Sequence, residues 1–129
     1  MFYLPLPNKI NFKFTLYFIA IIVWAVSCFT YAESQNPGIT WEKIHQGAIV
    51  IDVRTPNEFS QGHLPNAINI PHQQILDGIK KHNLNPKTSI VLYCKSGNRS
   101  GIAQDVLKQY GYSNTYNGGS YTTLIQMVN

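Results

Sequence analysis

The chain has 129 residues, with ten Lys/Arg against six Asp/Glu and only two cysteines. That length holds room for one modest domain. With Lys9 and Lys13 set aside, eight basic residues face six acidic ones over 33–129 and form no stripe, a balance that points away from nucleic acid. In chain order, Lys9 and Lys13 come first, followed by an uncharged stretch of 19 residues from Phe14 to Ala32. Basic residues, an apolar centre and then small residues form the pattern of a secretory signal, with Thr30-Tyr31-Ala32 as the cleavage site and Glu33 as the new N-terminus. Two alternatives stay open. The stretch is long enough for an uncleaved anchor, and Ala25-Val26-Ser27-Cys28 loosely matches a lipidation box. All three place residues 33–129 outside the cytoplasm, because positive charge keeps the N-terminal side in. The expected division is therefore 1–32 as signal or anchor, 33–38 as linker and 39–129 as the folded domain. The expected compartment is the periplasm, with a membrane-anchored or lipoprotein form facing it as the alternative.

Within the domain, Thr40 is expected to cap a short helix over 41–45, ended by Gly47. Ala48 to Val53 is a continuous apolar run broken only by Asp52, the pattern of a buried parallel strand. Pro56 to Gln61 fits a short helix with Pro in its first turn and Gly62 at its end. A second strand is expected over 67–70, stopped by Pro71, then a helix over 73–81 and a loop over 83–87. Ser89 to Tyr93 makes a third strand. The strongest helical pattern runs from Ser100 to Tyr110, with Ile102, Ala103, Val106, Leu107 and Tyr110 as its apolar positions and Gly111 beyond its end. A short strand over 114–116, a turn at Gly118-Gly119 and a last helix capped by Ser120 complete the chain. Strands alternating with helices mean an α/β fold around a parallel sheet, in which ligands bind beyond the carboxyl ends of strands. Asp52 and Cys94 both stand at such ends.

Cys94 opens the loop Cys94-Lys95-Ser96-Gly97-Asn98-Arg99 between a strand and a helix. Loop N–H groups, a helix N-terminus, Lys95 and Arg99 all favour a thiolate, the reactive form of cysteine. Cys28 lies in the N-terminal segment, so the domain has no internal disulfide to make. A lone thiol in an oxidising compartment is a liability unless it is used. The polar loop predicts an accessible rather than a buried sulfur. No cysteine or histidine spacing calls for a metal, and no cofactor is expected.

Three segments resemble the rhodanese family, and in particular single-domain thiosulfate sulfurtransferases of exported bacterial type. They are Ile51 to Phe59, Gly62 to Pro71, and Tyr93-Cys94 through Arg99-Ser100 with Gly111-Tyr112 and Asn117-Gly118-Gly119. Asn66 departs from the glycine usual after His-Leu-Pro, and Ser120 follows the glycine pair. The resemblance implies a central five-stranded parallel sheet flanked by helices. It implies Cys94 as the nucleophile that carries a persulfide, residues Lys95, Ser96, Gly97, Asn98 and Arg99 as the substrate cradle, and Asp52 and Arg54 as supports from the neighbouring strand end. Four residues separate Cys94 from Arg99, whereas cysteine-dependent phosphatases, including those of this fold, have five. The shorter loop suits a sulfur atom better than a phosphate.

The implied reaction moves a sulfane sulfur from thiosulfate or a similar donor to a thiophilic acceptor, by covalent catalysis. The alternative is a persulfide carrier or docking module serving a partner protein. Expected partners are thus a small sulfur donor and acceptor, with a redox partner protein left open and membrane contact only through the N-terminal segment. His63 is expected to make a structural hydrogen bond, and Arg54 to pair with Glu58 across a helical turn.

Overall fold

The computed structural model describes residues 35–128, together with 13, 17 and 19–21. The chain divides into two compact units, residues 1–32 and 33–129. In the first, the described residues are helical. The cleavage site at Ala32 and the box ending at Cys28 lie outside the described residues. No helix among the described residues is long and apolar enough to cross a membrane.

The second unit alternates helix and strand. Its helices are α1 (Pro37–His45), α2 (Pro56–Ser60), α3 (Ile75–Lys81), α4 (Asn98–Gln109) and α5 (Tyr121–Ile125). Its strands are β1 (Ile49–Asp52), β2 (Ile68–Asn69), β3 (Ile90–Cys94) and β4 (Thr115–Ser120), with a 3-10 turn over His72–Gln74. The strands form one parallel sheet in the order β2-β1-β3-β4. Among the described residues the sheet is thus four-stranded, not five-stranded. Beside β4, where another strand would pair, one backbone bond among the described residues runs from Gln35 N–H to Asn117 O, 2.8 Å. Gln35 has a φ of 85°, which turns the chain away, and Pro37 then opens α1.

Side chains alternate across β3 and sort the core into two clusters. Ile90, Leu92 and Cys94 pack with Ile51, Val53, Ile75, Ile79, Ala103 and Leu107, under α3 and α4. Tyr93 points the other way and joins Val50, Leu64 and Leu124, with Trp41 and Tyr121 against them, under α1 and α5. Cys94 and Tyr93 are neighbours in sequence on opposite faces of the sheet.

Several ends differ from the pattern reading. Asn36, not Thr40, caps α1, accepting from Gly38 N–H at 2.9 Å and Ile39 N–H at 3.3 Å. Thr40 is buried inside that helix and bonds to Asn36 O instead, 2.9 Å. Helix α4 begins at Asn98, with Gly97 (φ 89°) as its cap. Of its expected apolar face, Ala103 and Leu107 are buried, but Ile102 and Tyr110 are 47% and 61% exposed, while the polar Ser100 and Gln104 point inward. Gln104 is held there by donating to Thr115 O at 2.7 Å.

Gly118 and Gly119 do not turn the chain. They lie within β4, where the register against β3 slips between Leu92 and Tyr93. A Cβ on Gly118 would stand 2.9 Å from Thr40 Cγ2 and 3.1 Å from Val91 Cγ1, so the bulge allows α1 to approach the sheet. Asn66 takes a φ of 60°, a conformation that asparagine tolerates in place of glycine.

Candidate active site

β3 carries Cys94 to the carboxyl edge of the sheet, and the chain then turns over it through Gly97 into α4. Cys94 is 0% exposed, which corrects the expectation of an accessible thiol. The sulfur lies at the floor of the loop because its strand position points it into the apolar face under α4, whatever the polarity of residues 95–99. Burial also answers the liability of a lone thiol, since oxidation follows exposure.

The loop is arranged around that sulfur. Gly97 N–H donates to Sγ at 3.1 Å, and Ser100 Oγ lies 3.5 Å from it. Burial pushes the thiol's pKa up. The hydroxyl and backbone N–H of Ser100, with the N–H groups of Ser96 and Gly97, pull it down and prevail. Cys94 therefore ionises below the ordinary cysteine range, in surroundings where the anion is poorly hydrated and strongly nucleophilic.

The other expected residues take different places. Lys95 and Ser96 are exposed at the start of the loop, and Asn98 is exposed at the first position of α4. Arg99 does not present a free charge. Its Nη1 and Nη2 reach Glu58 Oε2 and Oε1 at 2.8 and 2.9 Å, a two-pronged pair between residues 41 apart. Arg99 thus holds the loop to α2, and its guanidinium is kept charged by Glu58 first and by the Cys94 sulfur second. The carboxylate of Glu58 is drawn down to about 2, first by Arg99 and, against the opposing effect of burial, by Thr55. Glu58 also completes a capping box with Thr55 at the start of α2.

Arg54 does not pair with Glu58. Its Nη2 meets Asp52 Oδ2 at 2.6 Å and Gly62 O at 2.6 Å, and its Nε meets both Asp52 oxygens at 3.0 Å. The side chains of Arg54 and Asp52 are 7% and 0% exposed. The guanidinium lies 4.2 Å from the Tyr121 ring centre and 5.7 Å from that of Tyr93. Asp52 and Arg54 thus stand at the right edge of the sheet but on the Tyr93 face, opposite the sulfur. The Tyr93 hydroxyl accepts from Leu64 N–H at 3.0 Å and is held protonated by burial. His63 Nδ1 lies 3.0 Å from Phe59 O, and its ring stacks on Phe59 at 3.8 Å, so its contacts are structural.

An open cleft of about 320 Å³ adjoins the loop and is lined by Arg54, Glu58, Gln61, Gly62, Lys95, Tyr121 and Thr122. Arg54 is neutralised by Asp52, and Glu58 and Arg99 by each other. Among the described residues lining the cleft, Lys95 is left as the cation without an ion-pair partner. No three His, Cys, Asp or Glu side chains among the described residues come together as a metal site needs.

Pattern reasoning did not single out Ser100, Glu58 or Asn117 as functional. Ser100 is 0% exposed and Asn117 4% exposed, and both bond to the loop. A signal for Ser100 was present: a serine in a helix commonly donates its hydroxyl to the carbonyl three or four residues before it. Asn117 stood only within the Asn117-Gly118-Gly119 segment of the resemblance, with no role attached, because the bulge that aims its side chain is a property of strand pairing.

The family profile of the rhodanese-like domain matches residues 36–121. An uncharacterized protein of Bacillus subtilis, YqhL, is 33% identical over 110 residues, covering 83% of this chain and 86% of that one. The thiosulfate sulfurtransferase PspE of Escherichia coli is 35% identical over 69 residues, covering 54% of this chain and 66% of that one. The crystal structure of a rhodanese-related protein from Thermoplasma volcanium superposes with a TM-score of 0.62 at 31% identity, over 74% of this chain and 92% of that one.

Proposed function

Since this chain belongs to the rhodanese-like domain family, we propose that it is a thiosulfate sulfurtransferase working through a persulfide on Cys94. The observation that carries the proposal is the buried Sγ under inward-facing N–H groups at the start of α4. The Cys94 thiolate attacks the outer sulfur of thiosulfate. The donor's S–S bond breaks, and its electron pair leaves with sulfite. Cys94 then carries a persulfide anion, stabilised by the N–H groups of Ser96, Gly97 and Ser100 and by the helix end. An acceptor attacks the outer sulfur, the bond to Sγ breaks, and the thiolate returns. With cyanide as acceptor the product is thiocyanate. Lys95, the cation of the cleft without an ion-pair partner, draws in the sulfonate end of the donor.

Purified 33–129 should gain the mass of one sulfur atom on treatment with thiosulfate, lose it to cyanide, and turn over with both. It should release no phosphate from aryl phosphates. A protein that never carries the extra sulfur overturns the proposal. One that takes up sulfur but does not turn over with small acceptors is a persulfide carrier for a partner protein. The pattern of Lys9, Lys13 and the uncharged stretch after them supports a site of action outside the cytoplasm. N-terminal sequencing of the cell-derived protein tests that, with Glu33 the expected first residue.

A further inference from the structure

Asn117 lies in β4, outside the loop, yet its side chain joins three parts of the cradle. Nδ2 donates to Gly97 O at 2.9 Å. Oδ1 accepts from Gly119 N–H at 3.1 Å and lies 2.7 Å from Ser100 Oγ. Chemistry fixes the orientation of this amide. Gly119 N–H can only donate and Gly97 C=O can only accept, so the oxygen must face the first and the nitrogen the second. Ser100 is then left to donate to Oδ1.

The Ser100 hydroxyl has one proton and three acceptors around it. Asn117 Oδ1 is at 2.7 Å, Gly97 O at 3.1 Å and Cys94 Sγ at 3.5 Å. A neutral thiol is a weak acceptor, and the proton rests on the amide oxygen. A thiolate is a charged acceptor and competes for it. When the proton turns to sulfur, Oδ1 still accepts from Gly119 N–H, so no buried acceptor is orphaned.

The second arm acts on the backbone. Gly97 O also accepts from Gly101 N–H at 3.0 Å. With Asn117 on its other side, that carbonyl is tied away from the sulfur. A rotation that brought it inward would put a negative end of a dipole where the anion forms, and would break both bonds. Asn117 is held in place by the bulge in β4 and by Gln35 N–H on its own carbonyl, 2.8 Å.

We propose that Asn117 is a positioning residue of the sulfur cradle: by occupying the Gly97 carbonyl and locking it outward, it keeps the Ser100 hydroxyl proton available to Cys94. Its consequence for sulfur transfer rests on the function proposed above, but its effect on Cys94 can be read with no sulfur donor present.

The test is the pH dependence of Cys94 alkylation by iodoacetamide, with thermal unfolding followed alongside. In Asn117→Ala, Gly97 O loses its amide donor and claims the Ser100 proton, which then no longer reaches the sulfur. The midpoint should therefore rise by about half a pH unit to one unit, a three- to tenfold loss of thiolate below the midpoint. Ser100→Ala should move it the same way, and Ser100→Thr should restore it. The double Ala variant should rise by less than the sum of the two, because one residue acts through the other. A merely structural asparagine would lower the unfolding temperature and leave the midpoint alone, and that result overturns the proposal, as would strict additivity. A second measurement needs no variant at Asn117. In the wild-type protein, the NMR signals of the Asn117 side-chain amide should move with the Cys94 titration, and an amide indifferent to it overturns the proposal even if Asn117→Ala does not fold. A shifted midpoint in a protein that takes no sulfur from thiosulfate would uphold Asn117 and sink the enzyme reading.

Discussion

The carboxyl edge of the sheet carries two ion pairs, and they use charge differently. On the Tyr93 face, Asp52 and Arg54 are two residues apart, buried, and closed on each other. Their remaining contacts go to Gly62 O and to the rings of Tyr93 and Tyr121. Burial disfavours the Arg54 charge, and Asp52 and Tyr93 together more than offset this. Beside the Cys94 loop, Glu58 and Arg99 are 41 residues apart and a quarter exposed, and Arg99 lies in the turn whose N–H groups point at the sulfur. The first cluster fixes the path of the chain after β1. The second fixes the loop while leaving its dipoles free for an anion. A buried ion pair is an expensive way to stabilise a fold, but a reliable way to hold one geometry.

The largest effect expected on either face is that of Cys94→Ser. It should abolish sulfur transfer, because a hydroxyl is hardly ionised near neutral pH and holds no sulfane sulfur. The fold should survive, since a serine oxygen can still accept from Gly97 N–H. Circular dichroism and a persulfide mass measurement check the two halves of this statement. A variant that still carries the extra sulfur would remove the Cys94 face from the chemistry.

Asp52→Ala should do the opposite, with its damage in stability. It leaves the Arg54 guanidinium buried without its partner, at a cost of about 3–5 kcal/mol. Urea unfolding measures that loss, while the alkylation midpoint of Cys94 should stay that of the wild type as long as the protein is folded. A moved midpoint would show that the two faces are coupled.

Lys95→Ala is smaller. It removes a cation beside the cleft without touching the sulfur, and should cost about 1–2 kcal/mol in kcat/KM for thiosulfate. The gap between variant and wild type should narrow as salt is added, because Lys95 is exposed. Equal saturation curves would leave the sulfonate without its proposed partner.

Glu58→Gln should be the mildest. Its pair with Arg99 is partly solvated and is worth about 1 kcal/mol or less. The carboxylate ionises near pH 2 when folded, below its ordinary value, so the stability it adds is fully present above about pH 5. That contribution fades as the pH falls toward 2. Parallel unfolding curves at pH 7 and pH 2.5 should therefore show a smaller gap between wild type and variant at the lower pH. A constant gap would mean that the pair contributes something other than charge.

Much of this architecture was legible from local patterns. The order of helices and strands, the parallel sheet, the strand ends bearing Asp52 and Cys94, and the structural role of His63 follow from residues within a few positions of each other. Caps, glycine stops and apolar runs act over that range, so one chain displays them. The pairing of Arg54 was misread because a spacing of four suggests a helical neighbour. Arg54 precedes the cap of α2, and its side chain turns back to Asp52. Glu58 shares Oε2 between the capping box and Arg99 and gives Oε1 to Arg99.

What the amino-acid sequence determined by itself was an α/β domain of this family with one thiol at the start of a glycine-containing loop. The depth of that thiol, the neutralisation of Arg99, the four-stranded edge beside Gln35 and the aim of Asn117 were decided only by the tertiary structure. They depend on which elements lie beside one another and, for Asn117, on a one-residue slip between β3 and β4. A slip of that size exchanges the faces of a strand, and no spacing within a single segment records it.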